Sequence, residues 1–150
     1  INDSLKELRH LSKSLTQDSI HEHSISKLIQ QECQKIESLK QWTIHFETDT
    51  SIDIPSYQIK SVLLRITQEF LQNSIKHAKC KTIDIKLSKE ENTTLLTIKD
   101  DGIGFDPNNL NNNGIGLKNM QKRTEMIQGI FILKSEKGSG TQLTLKIPNS

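Results

Sequence analysis

Residues 69–78, with the sequence EFLQNSIKHA, place polar side chains on the apolar face of a predicted helix. That helix is predicted over Pro55–Ala78, since a proline in the first turn loses no hydrogen bond. On a wheel of about 100° per residue, Glu69 and Asn73 fall in or beside the apolar stripe, and Lys76 follows one turn on. A stripe that ends early explains any one of them. Together they favour a site, because carboxylate and amide oxygens suit Mg²⁺ and a lysine suits phosphate oxygens.

A second inward polar residue ends the strand predicted at Leu95–Asp100. Alternation along this strand puts Asp100 on the same face as Leu96 and Ile98, so its carboxylate is expected to point inward. The glycines at 102 and 104 follow directly, and glycine permits tight turns and close approach of the backbone to a ligand. Alone, such a turn is often only the loop that ends a strand.

Two further glycine motifs follow. Gly114-Ile115-Gly116-Leu117 opens a predicted helix, whose free N–H groups and positive dipole end suit phosphate, although plain loop flexibility is the alternative. Gly129 is predicted to stop that helix as a C-terminal glycine. The segment 138–141, GSGT, is more typical of a hairpin turn than of a site.

The remaining periodicity predicts an α+β fold. Helices are expected around 1–15 and 25–39, and a helical face is shared by Leu117, Met120, Thr124 and Ile127. Further strands are predicted at Trp42–Phe46, Lys81–Ser88, Ile130–Ser135 and Thr141–Ile147. Clustered strand pairs favour a two-layer sandwich, a mixed sheet with helices on one face, preceded by a helical segment.

Composition excludes several classes of protein. The chain has 150 residues and a net charge of +2, which predicts one domain or one domain with an appendage and argues against a nucleic-acid partner. No apolar run reaches the ~18 residues of a membrane span. Cys33 and Cys80 are isolated, which fits a reducing compartment. The missing initiator Met and signal peptide predict a piece of a longer protein.

Taken in order, these segments resemble the ATP-binding catalytic domain of bacterial sensor histidine kinases. That domain belongs to the Bergerat-fold ATPase superfamily, with gyrase, heat-shock chaperone and mismatch-repair ATPases. Residues 69–78 look like its N box, residues 100–105 like its first glycine box, and residues 114–117, with Met120 and Arg123, like its second. Residues 138–141 look like the third. The best match is the subfamily paired with helix-turn-helix response regulators, and the resemblance covers roughly residues 42–148.

The resemblance implies a role for each matching residue. Asp100 would accept a hydrogen bond from the adenine amino group, satisfied only by that donor and water, with Thr141 assisting through its hydroxyl or a bridging water. Glu69 would be catalytic, either holding a metal-bound water or polarising the attacking group. The loop 105–113 would be the nucleotide lid. Mg²⁺ is assigned to Asn73 and Glu69, and ATP to Asn73, Lys76, His77, Asp100, Gly102, Gly104, Gly114, Gly116, Leu117 and Thr141.

The implied function is that of a protein histidine kinase. The domain would bind Mg-ATP and transfer the γ-phosphoryl group to a histidine on a dimerisation helix, from which it passes to a response regulator. Residues 1–40 would be the end of that helix and a connecting helix, and residues 41–150 the ATP-binding domain. The phosphoacceptor motif is absent here, so the chain alone is not expected to phosphorylate itself. We expect a cytoplasmic domain, largely monomeric, from a homodimeric parent whose membrane anchoring the sequence leaves open.

Three other functions remain open from the sequence. An ATP-hydrolysing relative of the chaperone or topoisomerase type carries the same boxes, usually with a longer lid and a following transducer domain. An anti-sigma serine kinase also carries them, usually without a leading coiled-coil-like helix. A non-catalytic nucleotide-sensing module is the third, and the intact Glu69, Asn73 and Asp100 argue against it.

Overall fold

The computed structural model describes residues 20–49, 52–106 and 114–148. Within them lies a sheet of five strands in the order β1-β2-β3-β5-β4. The elements are α1 (Ile25–Glu37), β1 (Thr43–Thr48), α2 (Tyr57–His77), β2 (Thr82–Glu90), β3 (Thr93–Asp100), α3 (Gly114–Met126), β4 (Ile130–Glu136) and β5 (Gly140–Pro148). The helix predicted around residues 1–15 lies outside the described residues.

The sheet is mixed, as predicted. β1 pairs with β2 in parallel, and the β2–β3, β3–β5 and β4–β5 pairs are antiparallel. Along β2, buried Ile83, Ile85 and Leu87 alternate with exposed Asp84 and Lys86, so one face carries the core and the other faces solvent. The α+β sandwich is therefore confirmed. The predicted strands are all present, with ends shifted by one or two residues.

Helix α2 begins two residues later than predicted. Ser56 is its N-cap, and the Ser56 hydroxyl accepts a hydrogen bond from the Ile59 N–H at 3.2 Å. Pro55 therefore precedes the cap and is not in the first turn, because the serine satisfies an N–H that would otherwise lack a partner. At the other end, the Ala78 N–H donates to the Ser74 carbonyl.

The predicted face of Leu117, Met120, Thr124 and Ile127 is buried, and Ile127 lies one residue beyond the end of helix α3. The prediction that Gly129 is the left-handed residue that ends this helix is wrong. Gln128 takes the left-handed conformation, with φ of 59°, and the Gly129 N–H then donates to the Thr124 carbonyl at 2.9 Å. Gly129 is required for space, since a Cβ there would lie 2.8 Å from the Thr124 methyl group.

Helix α1 shares the main core with the sheet. Ile25, Ile29 and Cys33 belong to the same buried cluster as the inward residues of β1, β2, β3 and β5. Leu39, predicted on this apolar face, lies beyond the helix end and is 56% exposed. Across the described residues, no helix is both long and apolar enough to cross a membrane.

Candidate functional site

Three polar residues lie side by side on the core-facing side of the sheet. The register pairs Asp100 of β3 with Thr141 of β5, and Thr141 with Ser135 of β4. All three are buried, Asp100 to 3% exposure. The next inward positions along these strands, Ile98, Leu143 and Leu133, are apolar, so the polar row sits at the end of the core and not within it.

Asp100 already has three protein donors. Its Oδ1 accepts hydrogen bonds from the backbone N–H groups of Gly102 at 3.0 Å and Thr141 at 3.3 Å. Its Oδ2 accepts from the Ser74 hydroxyl at 2.9 Å. The expectation that only a ligand and water satisfy this carboxylate is wrong, because the turn after β3, strand β5 and helix α2 all aim donors at it. These bonds fix the orientation of the carboxylate.

Thr141 and Ser135 are joined by their hydroxyl groups at 2.9 Å. Ser135 Oγ also donates to the Gly140 carbonyl at 3.1 Å and accepts from the Phe105 N–H at 2.9 Å. The Thr141 hydroxyl was predicted to serve the site, whereas Ser135 and Ser74 were missed. The signal for Ser135 was available, since it is the polar member of an alternating series with Phe131 and Leu133.

A cavity of about 180 Å³ opens above this row, between the sheet and helices α2 and α3. Of the predicted site residues, Asn73, His77, Asp100, Gly104, Leu117 and Thr141 line it. Its other walls are Phe70, Ser74, Ala78, Ile103, Phe105, Met120 and Leu133. The volume is below the ~300–1,000 Å³ of sites that bury a whole drug-sized ligand. It therefore suits a single ring whose substituents extend outside.

The segment after β3 is tied down on both sides of the cavity. The Ile103 N–H donates to the Ala78 carbonyl at 2.7 Å, and the Ile103 carbonyl accepts from the Gly138 N–H at 2.6 Å. Gly102 and Gly104 make this path possible. A Cβ at Gly102 would strike the Ala78 carbonyl, and Gly104 has a φ of +66° and packs against the carbonyl of Glu136.

Glu69 lies outside this cavity, in a neighbouring polar cleft of about 250 Å³ between α2 and α3. The cleft is lined by Arg65, Gln68, Glu69, Gln72, Gly116, Asn119, Met120 and Arg123. Gly116 brings α3 close to α2 here, because a Cβ on it would lie 2.9 Å from Glu69 Oε1 and 3.9 Å from Asn73 Nδ2. The backbone of α3 thus approaches two of the predicted site residues together.

The structure does not bring every predicted site residue to the cavity wall. Lys76 is exposed and Gly102 is buried under Ala78, and neither lines the cavity. Helix α3 begins at Gly114, as predicted. Of the predicted lid, residues 107–113 lie outside the described part of the chain.

Among the described residues, hydrogen bonding lowers one pKa and burial raises two. Two backbone N–H groups, of Thr82 and Lys81, hold the pKa of Asp101 below its usual value. They lie 3.0 and 2.9 Å from Asp101 Oδ1, so this carboxylate accepts hydrogen bonds from the backbone at the start of β2 and is not directed at the cavity. Burial, followed by the charge of Asp100, raises the pKa of Cys80 to about 11, and burial raises that of Cys33 to about 12.

The polar atoms nearest to a Cβ at Gly116 are Glu69 Oε1 and Asn73 Nδ2, so only one of them is an oxygen in this arrangement. Among residues 20–49, 52–106 and 114–148, no three His, Cys, Asp or Glu side chains cluster as a metal site would require. Mg²⁺ usually takes one or two protein oxygens and completes its shell with water and substrate phosphates. The Glu69 carboxylate and the Asn73 amide oxygen, one helical turn apart, meet that requirement.

Comparison with known proteins agrees with this geometry. Residues 58–150 match the family described as histidine kinase-, DNA gyrase B-, and HSP90-like ATPase. The signal transduction histidine-protein kinase/phosphatase DegS of Brevibacillus brevis is 28% identical over 99% of this chain. The oxygen sensor histidine kinase NreB of Staphylococcus carnosus is 27% identical over 96% of it. This chain spans 42% of the length of each of these two relatives.

Solved structures share the fold at low sequence identity. The histidine kinase domain of a blue-light activated histidine kinase from Erythrobacter litoralis has a TM-score of 0.72 and 16% identity, covering 86% of this chain and 63% of that one. The histidine kinase AdeS of Acinetobacter baumannii has a TM-score of 0.70 and 15% identity, covering 99% and 81%. The matched residues, 58–150, include all of helix α2 except its first residue, the polar row, and the glycines at 102, 104, 114 and 116. The chain therefore belongs to the family of histidine kinase-, DNA gyrase B- and HSP90-like ATPases.

Proposed function

We propose that this chain is the ATP-binding catalytic domain of a two-component sensor histidine kinase, of the subfamily paired with helix-turn-helix response regulators. The observation that carries the proposal is the oriented, buried carboxylate of Asp100 at the floor of a ring-sized cavity. The relatives DegS and NreB, which carry sensor kinase names, support the kinase branch of the family.

The adenine end of the site is assigned to the cavity above the polar row. Asp100 accepts from the exocyclic amino group, and Thr141 adds its hydroxyl beside it. Leu117 and the other apolar walls cover the ring faces, which accounts for an opening bordered largely by apolar residues. Gly104 lets the backbone pass close to the ring because it carries no side chain.

The phosphate end is assigned to the rim where α2 and α3 approach. Asn73 and Glu69 would hold Mg²⁺ through their side-chain oxygens, since both side chains lie around Gly116. The ion would supply charge neutralisation for the phosphate oxygens of the nucleotide. We assign the N–H groups at the start of α3, from Gly114 to Leu117, to the phosphates, because a helix N-terminus suits an anion. Lys76 lies outside the cavity wall, and we assign its flexible ammonium group to the same oxygens. His77 lines the cavity.

Phosphoryl transfer in this site depends on positioning and charge more than on reactive side chains. Glu69 is the residue that we assign to the reacting end, as the holder of a metal-bound water or the group that polarises the attacking imidazole. That imidazole belongs to a dimerisation helix of the longer parent, a homodimer, and the final acceptor is an aspartate of a response regulator.

We divide the chain by role at residue 40. Residues 1–40 are the end of the dimerisation helix and a connecting helix, and residues 41–150 are the ATP-binding catalytic domain. Helix α1 is nevertheless packed into the main core through Ile25, Ile29 and Cys33. We expect a rigid connection at this point, so that a movement of the leading helix is passed to the domain.

Calorimetric titration with a non-hydrolysable ATP analogue, with and without Mg²⁺, tests the proposal, with the matching GTP analogue as control. Adenine-selective binding that Mg²⁺ strengthens is the expected result. Equal binding of both analogues contradicts the assignment of Asp100, and the absence of binding at millimolar nucleotide contradicts the proposal as a whole.

The kinase assignment needs a second test in the parent protein. Transfer of the γ-phosphoryl group from ATP to a histidine, detected as acid-labile phosphorylation, is expected in the full-length dimer. Nucleotide binding without transfer would favour the nucleotide-sensing function, and steady release of inorganic phosphate without a phosphohistidine would favour an ATP-hydrolysing relative.

A further inference from the structure

Counting the hydroxyl protons at the cavity floor shows which group donates and which accepts in each hydrogen bond. Ser74, Asp100 and Thr141 are polar residues of this floor. The Ser74 hydroxyl donates to Asp100 Oδ2, so its single proton lies on that bond. The Ser74 oxygen therefore shows the cavity only lone pairs.

The hydrogen bonds of Ser135 determine whether the Thr141 hydroxyl donates or accepts in the contact between them. A serine hydroxyl has one proton and two lone pairs. The proton of Ser135 lies on the Gly140 carbonyl, and one lone pair accepts from the Phe105 N–H. In the contact of 2.9 Å between the two hydroxyls, Thr141 is then the donor and Ser135 accepts with its second lone pair. The proton of Thr141 points away from the cavity, and its oxygen faces the cavity as an acceptor.

The floor is thus a set of oxygen acceptors without an available proton. An amino group at position 6 of a purine finds complementary acceptors there. A carbonyl at position 6 meets only oxygen lone pairs, and a buried polar group without a partner costs more than a lost hydrogen bond gains. The adjacent ring nitrogen changes from an acceptor in a 6-amino purine to an N–H donor in a 6-oxo purine, so the selectivity argued from Thr141 concerns position 6 alone. Discrimination of this kind is strong when the site itself is built from hydrogen-bonding groups.

We infer that Ser135 is a positioning residue that sets the base selectivity of the site: it takes the Thr141 proton and so makes Thr141 an obligate acceptor, which favours a 6-amino purine over a 6-oxo purine. Ser135 itself does not line the cavity. It also holds the backbone of Phe105, so the same hydroxyl links the floor to the start of the loop that follows. This inference rests on the proposed nucleotide binding.

The test compares ATP with inosine triphosphate, which replaces the 6-amino group by a carbonyl, by titration calorimetry in the presence of Mg²⁺. In the unmodified chain we expect inosine triphosphate to bind more weakly than ATP. In Ser135→Ala the Thr141 proton is free to turn into the cavity and donate to that carbonyl. The ratio of the two dissociation constants should fall by about three- to tenfold, the scale of one hydrogen bond.

A double-mutant cycle separates positioning from a general structural effect. Thr141→Val should lower the ratio by itself, and adding Ser135→Ala in that background should change the ratio no further. Ser135→Thr, which restores a hydroxyl, should recover selectivity. Ser88→Ala on the open face of β2 is the matched control and should leave the ratio unchanged.

Each outcome separates this inference from the proposed function. If Ser135→Ala weakens both nucleotides by the same factor, Ser135 is only structural and the inference is overturned. If the unmodified chain binds both nucleotides equally, nucleotide binding stands and the inference fails. If it binds neither, the proposed function fails and the inference fails with it. Should Ser135→Ala lower the melting temperature too far for titration, Ser135→Cys, a weaker acceptor of similar size, replaces it.

Discussion

Asp100 receives its hydrogen bonds from a turn, a strand and a helix, so its charge is oriented by three separate parts of the chain. In Asp100→Asn, the amide oxygen can still accept from the two backbone N–H groups, and the amide NH₂ then points towards Ser74 and the cavity. A donor replaces an acceptor at the floor, so we expect ATP affinity to fall by roughly ten- to a hundredfold, the scale of a charged hydrogen bond. GTP affinity should fall much less. Calorimetry with both nucleotides measures this, and an unchanged ATP-to-GTP ratio would contradict the assignment.

Asn73 provides the residue-scale test of the metal. In Asn73→Ala the amide group that we assign to the metal is lost. We therefore expect that Mg²⁺ no longer strengthens nucleotide binding, while binding in EDTA stays close to that of the unmodified chain. Titration of nucleotide at several Mg²⁺ concentrations gives the comparison. Gln58→Ala, at an exposed position of the same helix, is the control. A full Mg²⁺ response in Asn73→Ala would remove this residue from the metal site.

Single residues were predictable where they broke a regular pattern. Asp100 was found because it continues an apolar face of β3. Ser135 breaks the alternation of β4 in the same way, and the same logic applied there identifies it. Ser74 was not predictable, because a serine on a buried helix face is also what a close contact between a helix and a sheet requires. Ser74 matters to the site because its hydroxyl donates to Asp100, and that contact between α2 and β3 becomes visible only in the folded structure.

At the scale of elements, the close approach of α3 to α2 depends on Gly116, which packs against the Glu69 side chain and not against backbone. A Cβ at Gly116 would meet Glu69 Oε1, a group that can move, whereas a Cβ at Gly102 would meet the backbone of Ala78. Alanine also favours a helix over glycine by about 1 kcal/mol. We therefore expect Gly116→Ala to keep or slightly raise the melting temperature while weakening the Mg²⁺-dependent binding of nucleotide.

Gly102→Ala is the matched comparison for this prediction. It should lower the melting temperature clearly, because backbone atoms must shift to make room. Thermal unfolding of both variants, followed by circular dichroism, together with calorimetry of Gly116→Ala, tests the pair. Equal melting temperatures, or undiminished binding in Gly116→Ala, would contradict the proposed role of the α2–α3 approach.

The existence of the elements could be predicted from periodicity, but their ends and pairing could not. Ser56 caps α2, so the helix starts after Pro55 and not at it, since capping depends on which side chain reaches a free N–H group. Gln128 takes the left-handed position predicted for Gly129, and the glycine is needed instead for space, because a Cβ on it would lie 2.8 Å from the Thr124 methyl group. The insertion of β5 between β3 and β4 brings distant segments together, and local periodicity contains no information on such contacts.

At the scale of the whole molecule, the two buried thiols report on how cooperatively it opens. Cys33 lies in α1 and Cys80 follows α2, and burial raises the pKa of both, to about 12 and about 11. At pH 8 neither is expected to react with a thiol reagent unless the structure opens. Nucleotide at ~100 times its dissociation constant stabilises the closed state by about 2.7 kcal/mol. If α1 and the site open together, labelling of both thiols should slow by the same factor of about 100.

Mass spectrometry of the single-cysteine variants Cys33→Ala and Cys80→Ala follows each thiol separately. Slowing at Cys80 with no change at Cys33 would mean that α1 opens by itself, which contradicts a rigid connection between the leading segment and the domain.

Alkaline pH tests the burial of the same thiols. The unfolded thiols ionise near pH 9.0, and the folded ones only near pH 11 to 12. The folded state therefore holds these protons more tightly, so this contribution to stability is complete below pH 9 and is lost as the pH rises from 9 towards 12. Urea unfolding at pH 8 and pH 10 should show a smaller decline in Cys33→Ala than in the unmodified chain, and an equal decline would contradict the burial of the Cys33 thiol.

The strand order has a consequence for the timing of folding. The β2–β3 and β4–β5 pairs are local hairpins, whereas Asp100 and Thr141 are 41 residues apart and meet only when β3 joins β5. A chain that has formed both hairpins but not this junction has no cavity floor. A molecule that binds the floor therefore finds nothing to bind until this long-range pairing of β3 with β5 is complete. Such a ligand slows the unfolding of the protein and leaves its folding rate unchanged.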